Sequence, residues 1–317
     1  MLRSDRQFHR LLDIPPANCE KDLVEAMHLD PIRVGFISHN SKFFYRKYTI
    51  KKRSGGLRVI EAPNKELKAI QTWILRNILD RLHCSPNATA YIKGHTLVSN
   101  VEPHRFNRYF LCVDIENYFP SIGIGKVVKF FELLGYPSKV AFFLSLLCTT
   151  DSHLPQGAVT SPSLSNLTSS PMDRRIVGLS SRRNIVYSRY ADDMTFSSNN
   201  PNYLPKLLRP LGRILLSEGF RLNLDKIRFL GPDVSCRITG LTKDSSTPQF
   251  SIGTRKKRQM RSLMYHAFAD EVFDPLYPSI ESLEGWLSYL RSVDMNSYAS
   301  MRKYWLSLKN RYGDGSK

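Results

Sequence analysis

Apolar positions along the chain repeat with two periods, one helical and one strand-like, and the two alternate without regular order. Residues 1–40 read as short helices with turns between them. Tyr48-Thr49-Ile50 and Leu57-Arg58-Val59-Ile60, with Ser54-Gly55-Gly56 between, predict a β-hairpin. Asn64 is placed to cap a helix whose apolar positions Leu67, Ile70, Ile74 and Ile78 keep helical spacing. Arg108 to Ile115 (RYFLCVDI) reads as a buried strand, and helices are expected around 127–134 and 140–147. Ser161 and Pro162 are expected to cap and open a helix through Leu164 and Leu167. Pro171, well inside that stretch, predicts a kink or a break. Asn184 to Ser198 predicts two β-rich runs joined at Ala191-Asp192-Asp193. Beyond it, 204–219 is expected to be helical and 227–230 and 237–241 to be short strands. The stretches 254–269, 279–293 and 296–312 read as helices, with Gly313 as a stop. The mixture without βαβ alternation predicts an α+β fold with an all-helical C-terminal lobe.

Composition sharpens this picture mainly through charge. The 317 residues carry 46 Lys+Arg against 28 Asp+Glu, a net charge of +18, which calls for a polyanionic partner, either nucleic acid or an acidic membrane face. Residues 41–58 hold seven basic side chains and no acidic one, with Phe43, Phe44, Tyr45 and Tyr48 interleaved. The most apolar run, Val140 to Cys148, is far short of the ~20 residues that span a bilayer. No secretory leader pattern opens the chain. The five cysteines are scattered with no C-x-x-C, which argues against a disulfide framework or a zinc ribbon and predicts a cytoplasmic protein.

Candidate chemistry lies where carboxylates end apolar strands: Asp114 after Leu-Cys-Val, and Asp192-Asp193 after Tyr190-Ala191. Each alone reads more readily as a turn Asp than as a catalytic one. Two acidic neighbours at a hairpin tip repel one another unless a cation sits between them. Asp114 with this pair suits two Mg²⁺, hard cations that take oxygen ligands and serve phosphate chemistry. A third segment, Leu154-Pro155-Gln156-Gly157, offers an amide at Gln156 and, at Gly157, a backbone open to close approach by a ligand.

Together these segments resemble the ordered motifs of reverse transcriptases: Asp114 and Phe119, then Gln156-Gly157 with Ser161-Pro162, then Tyr190-Ala191-Asp192-Asp193. Arg58-x-Ile60-x-x-Pro63 is similar to the fingers motif of the bacterial enzymes. Asn100-Val101-Glu102-Pro103-His104 and Ile238-Thr239-Gly240 resemble two elements of retron reverse transcriptases, each with one aliphatic exchange. The resemblance implies a right-hand polymerase with an N-terminal helical extension at 1–40. Fingers are expected at 41–104 and 121–153, the palm at 105–120 and 154–250, and the thumb at 251–317. It implies Asp114, Asp192 and Asp193 around two Mg²⁺, Phe119 as a gate against the ribose 2′-OH, and Arg58, Gln156, Gly157 and Lys226 at the nucleotide. Without the resemblance, Phe119 reads as a core aromatic, and Arg58 and Lys226 as surface charges.

Arg255, Lys256, Lys257, Arg258 and Arg261 form a basic run, ordinarily a solvated helix face, that in this setting is expected to meet RNA backbone. Met264 and Phe268 are available for the inward side of that helix. The resemblance further implies a dedicated structured RNA as template and primer, dNTPs, an RNA-DNA hybrid product that is branched and multicopy, and an effector protein in anti-phage defence. The alternatives are a group II intron-like or diversity-generating reverse transcriptase, or an idle RNA-binding scaffold. The absence of a Cys/His zinc module or nuclease behind the thumb speaks against a complete intron protein, and the intact aspartate set against a scaffold.

Overall fold

The computed structural model describes residues 5–51, 55–232, 234, 236–243, 248–269 and 279–312. Three helices, α1 (Arg6–Leu11), α2 (Glu20–Met27) and α3 (Pro31–His39), open the chain. Asp5 and Asp30 cap α1 and α3 by accepting from Phe8 N (3.0 Å) and Ile32 N (3.1 Å). Strands β1 (Tyr45–Lys51) and β2 (Leu57–Pro63) pair antiparallel from Tyr45↔Pro63 to Lys51↔Leu57. Most of their residues are exposed, so this hairpin stands away from the body. Residues 52–54 of its turn lie outside the described residues. Helix α4 (Lys65–Asn77) begins as its spacing predicts: the Asn64 side chain accepts from Leu67 N (3.0 Å), and Leu67, Ile70 and Ile74 are buried.

The sequence continues through α5 (Leu97–Val101), β3 (Tyr109–Ile115), α6 (Ile124–Leu133), α7 (Ser138–Cys148), α8 (Ser161–Thr168) and α9 (Ser170–Ser181). Then come β4 (Val186–Tyr190), β5 (Asp193–Ser198), α10 (Leu208–Ser217) and β6 (Leu222–Leu230). The central antiparallel sheet has the order β4-β5-β3-β6. Its alternation divides two cores. Leu111, Val113 and Ile115 of β3 join Met194, Phe196 and the helices in one core, whereas Phe110 and Cys112 face a second. That second core is closed by a small sheet, β7 (Arg237–Ile238), β8 (Leu241–Lys243) and β9 (Phe250–Ser251), and by α11 (Thr254–Ala269), α12 (Ile280–Val293) and α13 (Met295–Tyr312). Met264 is fully buried there, and Phe268 meets Trp305 edge-on at 4.8 Å.

Several elements depart from the pattern-based expectation. Helix α8 starts at Ser161 after an N-cap at Thr160, not at a capping Ser161, and no side chain caps its first turn. Pro171 does break the expected helix: α8 stops at Thr168, and Pro171 sits in the first turn of α9, where no backbone donor is lost. Strand β6 begins at Leu222, five residues before the expected start, because its polar first half is recruited by pairing with β3. The expected strand over 237–241 is two strands around a turn, with Thr239 (φ 44°) and Gly240 (φ 88°) left-handed. Gly313 lies outside the described residues.

The β4–β5 hairpin is pinned from below by the Asn100–His104 element. Ser188 Oγ donates to the Asn100 carbonyl (3.0 Å), so it accepts from His104 Nε2 (2.8 Å). His104 Nδ1 then accepts from Ser197 Oγ (2.6 Å), which fixes the ring as one neutral tautomer between β4 and β5. Asn100 accepts from Thr89 Oγ1 (3.0 Å) and reaches Thr239 Oγ1 (3.4 Å), so the two elements that resemble retron sequences touch. Burial lowers the His104 pKa to about 3.

An unfolded chain takes up this proton near pH 6.5, whereas the folded one refuses it until about 3. The contribution of His104 is therefore complete above pH 6.5 and is lost on acidification, at about 1.4 kcal/mol per pH unit. Urea unfolding at pH 7.5 and 5.5 should show a smaller acid loss for His104→Gln than for the wild type; equal losses would contradict the buried neutral ring.

Candidate active site

The β3–β5 register sets Asp114 directly opposite Asp193, on the face of the sheet away from the Leu111–Val113 core. Tyr190 pairs with Asp193 across the neighbouring ladder, so the hairpin turn is only Ala191-Asp192. Ala191 is left-handed (φ 57°), and the Asp192 carbonyl accepts from Ile115 N (3.0 Å), tying the turn to the end of β3. Like charges facing each other across a ladder are destabilising on their own. Partial desolvation, then the charges of Asp192 and Asp114, push the Asp193 carboxyl up to about 6. Asp192 is raised by burial and by Asp114, and Lys226 and Arg58 oppose that rise.

Lys226, on β6, reaches Asp114 Oδ1 (2.9 Å), and Asn223 approaches the same oxygen (3.4 Å). Burial acts against the Lys226 charge, but the hydrogen bond to Asp114 and the three carboxylates hold its pKa above the ordinary value. The three aspartates are hard oxygen donors with unbalanced charge, a chemistry that fits a divalent cation. As the side chains stand, with Lys226 on Asp114, no three His, Cys, Asp or Glu among the described residues are grouped closely enough to enclose an ion.

Aromatic rings wall the cleft. Phe119 is half-buried, 5.5 Å from the Tyr118 ring and 6.3 Å from Tyr91. Tyr91 also lies 6.5 Å from Tyr190, and its backbone is left-handed (φ 62°). Nothing in the periodicity singled out Tyr91, which enters the site through tertiary placement of an irregular segment. Next to it opens a cleft of about 800 Å³ lined by Arg76, Arg81, His83, Lys93 and His95. On the other side a hollow of about 480 Å³ lies between Asp193, Arg228, Arg237 and Thr239. Neither was visible in the sequence, because their basic residues come from separate segments.

Arg58 is exposed on β2, and its charge acts on Asp192. The hairpin carrying it is seated by Gly157 (φ 132°). A Cβ there would lie 2.9 Å from Ile60 Cγ2 and 3.0 Å from the Glu61 carbonyl oxygen. The close approach expected at Gly157 is thus to β2 of this chain. Gln156 acts there through its backbone as well, its carbonyl accepting from Glu61 N (2.9 Å). Lys47 spans Glu61 (2.9 Å) and Asp151 (2.6 Å) below the same joint.

The basic run lies apart, on α11. Arg255, Arg258 and Arg261 are exposed, while Lys256 and Lys257 are half-buried. Lys257 reaches Asp294 (3.4 Å), and the Arg261 guanidinium lies 4.8 Å from the centre of the Tyr304 ring. Part of the run is therefore engaged with the helical bundle.

Paired carboxylates at the centre of an antiparallel sheet, beneath a basic hairpin and beside a helical lobe, are the arrangement of a right-hand polymerase. Reverse transcriptase (RNA-dependent DNA polymerase) is the family whose profile matches residues 50–270, and the chain belongs to it. It is 35% identical to the retron Ec86 reverse transcriptase of Escherichia coli, over 96% of this chain and 93% of that protein. It is 28% identical to the retron Mx65 reverse transcriptase of Myxococcus xanthus, over 92% of this chain and 72% of that one. Within the family, the chain falls among the bacterial retron reverse transcriptases.

Gly157→Ala should lower stability by about 2–4 kcal/mol, from a left-handed backbone and a clash that backbone atoms cannot relieve. Denaturant unfolding checks this, and a loss under 0.5 kcal/mol would mean that β2 moves aside freely.

Proposed function

We propose that this RNA-directed DNA polymerase copies a dedicated structured RNA into branched, multicopy single-stranded DNA joined to RNA, with an effector protein and in anti-phage defence. The observation that carries the catalytic part is the cross-strand Asp114–Asp193 pair with Asp192 in the adjoining turn. The dedicated RNA, the branched product and the defence role rest on the resemblance to retron enzymes. The domain limits follow the same reading: a helical extension at 1–40, fingers at 41–104 and 121–153, palm at 105–120 and 154–250, thumb at 251–317.

Asp114, Asp192 and Asp193 would hold two Mg²⁺. When bound, such ions activate the attacking oxygen and stabilise the leaving oxygen of nucleotidyl transfer. The chain's own residues arrange the rest. Arg58, on a hairpin seated by Gly157 and Gln156, grips the triphosphate through its forked donors. Phe119 closes the space beside the sugar's 2′ position. Lys226 leaves Asp114 as the cleft fills and meets the negative charge that develops on the leaving pyrophosphate. Arg255, Lys256, Lys257, Arg258 and Arg261 contribute a basic surface for RNA backbone. No helix among the described residues is long and apolar enough to cross a membrane. Membership of the reverse transcriptase family supports reading the +18 charge as nucleic-acid affinity.

Asp192→Asn and Asp193→Asn should each abolish DNA synthesis on the cognate RNA while leaving RNA affinity within about twofold, because affinity comes from dispersed Lys and Arg. Near-wild-type extension by either variant would remove that residue from the metal set. Phe119→Val should lower the preference for dNTP over rNTP, read as the ratio of kcat/KM values, by about tenfold or more. An unchanged ratio in a folded variant would return Phe119 to a packing role.

A further inference from the structure

Behind the Ala191-Asp192 turn lies an ion pair with no solvent contact on either partner, Arg189 on β4 and Asp173 on α9. Strand alternation sends Tyr187 and Arg189 to the helical side of the sheet, opposite to Tyr190. Arg189 Nε and Nη2 donate to the two oxygens of Asp173 (2.9 and 2.6 Å), and Tyr187 Oη donates to the same carboxylate (2.7 Å). Nη1 donates to Tyr118 Oη (2.7 Å), to Asn166 Oδ1 (3.1 Å) and to the Ala191 carbonyl (3.1 Å).

Stability alone does not account for this pair, since well-packed apolar residues in place of a buried ion pair are often no less stable. An apolar pair would have no donor for the Ala191 carbonyl. That carbonyl belongs to a left-handed non-glycine residue, a conformation that persists only when its surroundings over-determine it. The nitrogen that holds it also holds Tyr118, whose ring packs against Phe119.

We infer that Arg189 is a positioning residue for polymerisation. Its Nη1 fixes the Ala191 peptide so that Asp192 and Asp193 are presented toward Asp114, and holds Tyr118 so that Phe119 keeps its place; Asp173 aligns the guanidinium. The inference rests on the reading of Asp192 and Asp193 as metal ligands.

The test uses the full chain on an annealed primer-template. Arg189→Met alone leaves Asp173 buried and unpaired and is expected to unfold. Arg189→Met/Asp173→Leu removes both charges and should recover most of the lost Tm. Arg189→Lys keeps Asp173 paired but cannot serve the carbonyl as well, because an ammonium lacks the planar fork. In both folded variants kcat should fall about 100-fold, a loss typical of sub-ångström to ångström misplacement, with KM for primer-template unchanged. Calorimetric titration of Mg²⁺ into the nucleotide-free protein should show affinity about tenfold weaker than wild type. Wild-type kcat and Mg²⁺ affinity in either folded variant would overturn the inference. Asp192→Asn, run alongside, separates the two claims. If it retains activity, the metal-ligand reading fails. If it is inactive while the folded Arg189 variants are fully active, the positioning role alone fails.

Discussion

Strand β3 is buried on both faces, and the strict alternation of its side chains binds the rest of the molecule together. Leu111, Val113 and Ile115 enter the core shared with the central helices, whereas Phe110 and Cys112 enter the core shared with α11–α13. Asp114 follows the second set, but lies at the strand end, where the two cores part and the cleft opens. A slip of one residue in the β3–β5 register would turn Asp114 into the apolar core and send Val113 toward the cleft. Apolar burial on both sides therefore fixes the position of a charge that favours neither side.

The same register brings together groups that repel. Asp114 and Asp193 face one another, Asp192 adjoins them, and burial together with these neighbouring charges leaves Asp193 with a raised pKa. The surrounding structure over-determines this arrangement from several directions. Lys226 neutralises one oxygen of Asp114, Ile115 N holds the Asp192 carbonyl, and Arg189 holds the Ala191 carbonyl. His104 joins the two strands of the hairpin from the opposite face. A turn held at this many points can keep unfavourable electrostatics in place.

The basic hairpin illustrates a different division of labour. Its residues are mostly exposed, so its position depends on one joint, where Gly157 and the Gln156 carbonyl meet Ile60 and Glu61. Charge in the exposed part and tight backbone contact at the base let one element present Arg58 to the cleft without a core of its own.

Strong periodicity was enough to place some elements: α4, β3, the β4–β5 hairpin and the three C-terminal helices lie close to where spacing predicts them. The strand end at Asp114 and the turn at Asp192-Asp193, which the structure brings together, were also legible, because a turn at a strand end is a local signal; only the family resemblance marked Phe119. What the tertiary structure decided were features with no local cause. Strand β6 acquires its polar half by pairing with β3. Gly157 serves a neighbouring strand, Tyr91 joins the cleft from an irregular segment, and Arg189, which no local pattern marked, is buried against Asp173. In each case the deciding partner lies many residues away. Periodicity records which face of an element is buried, and only folding determines what meets that face.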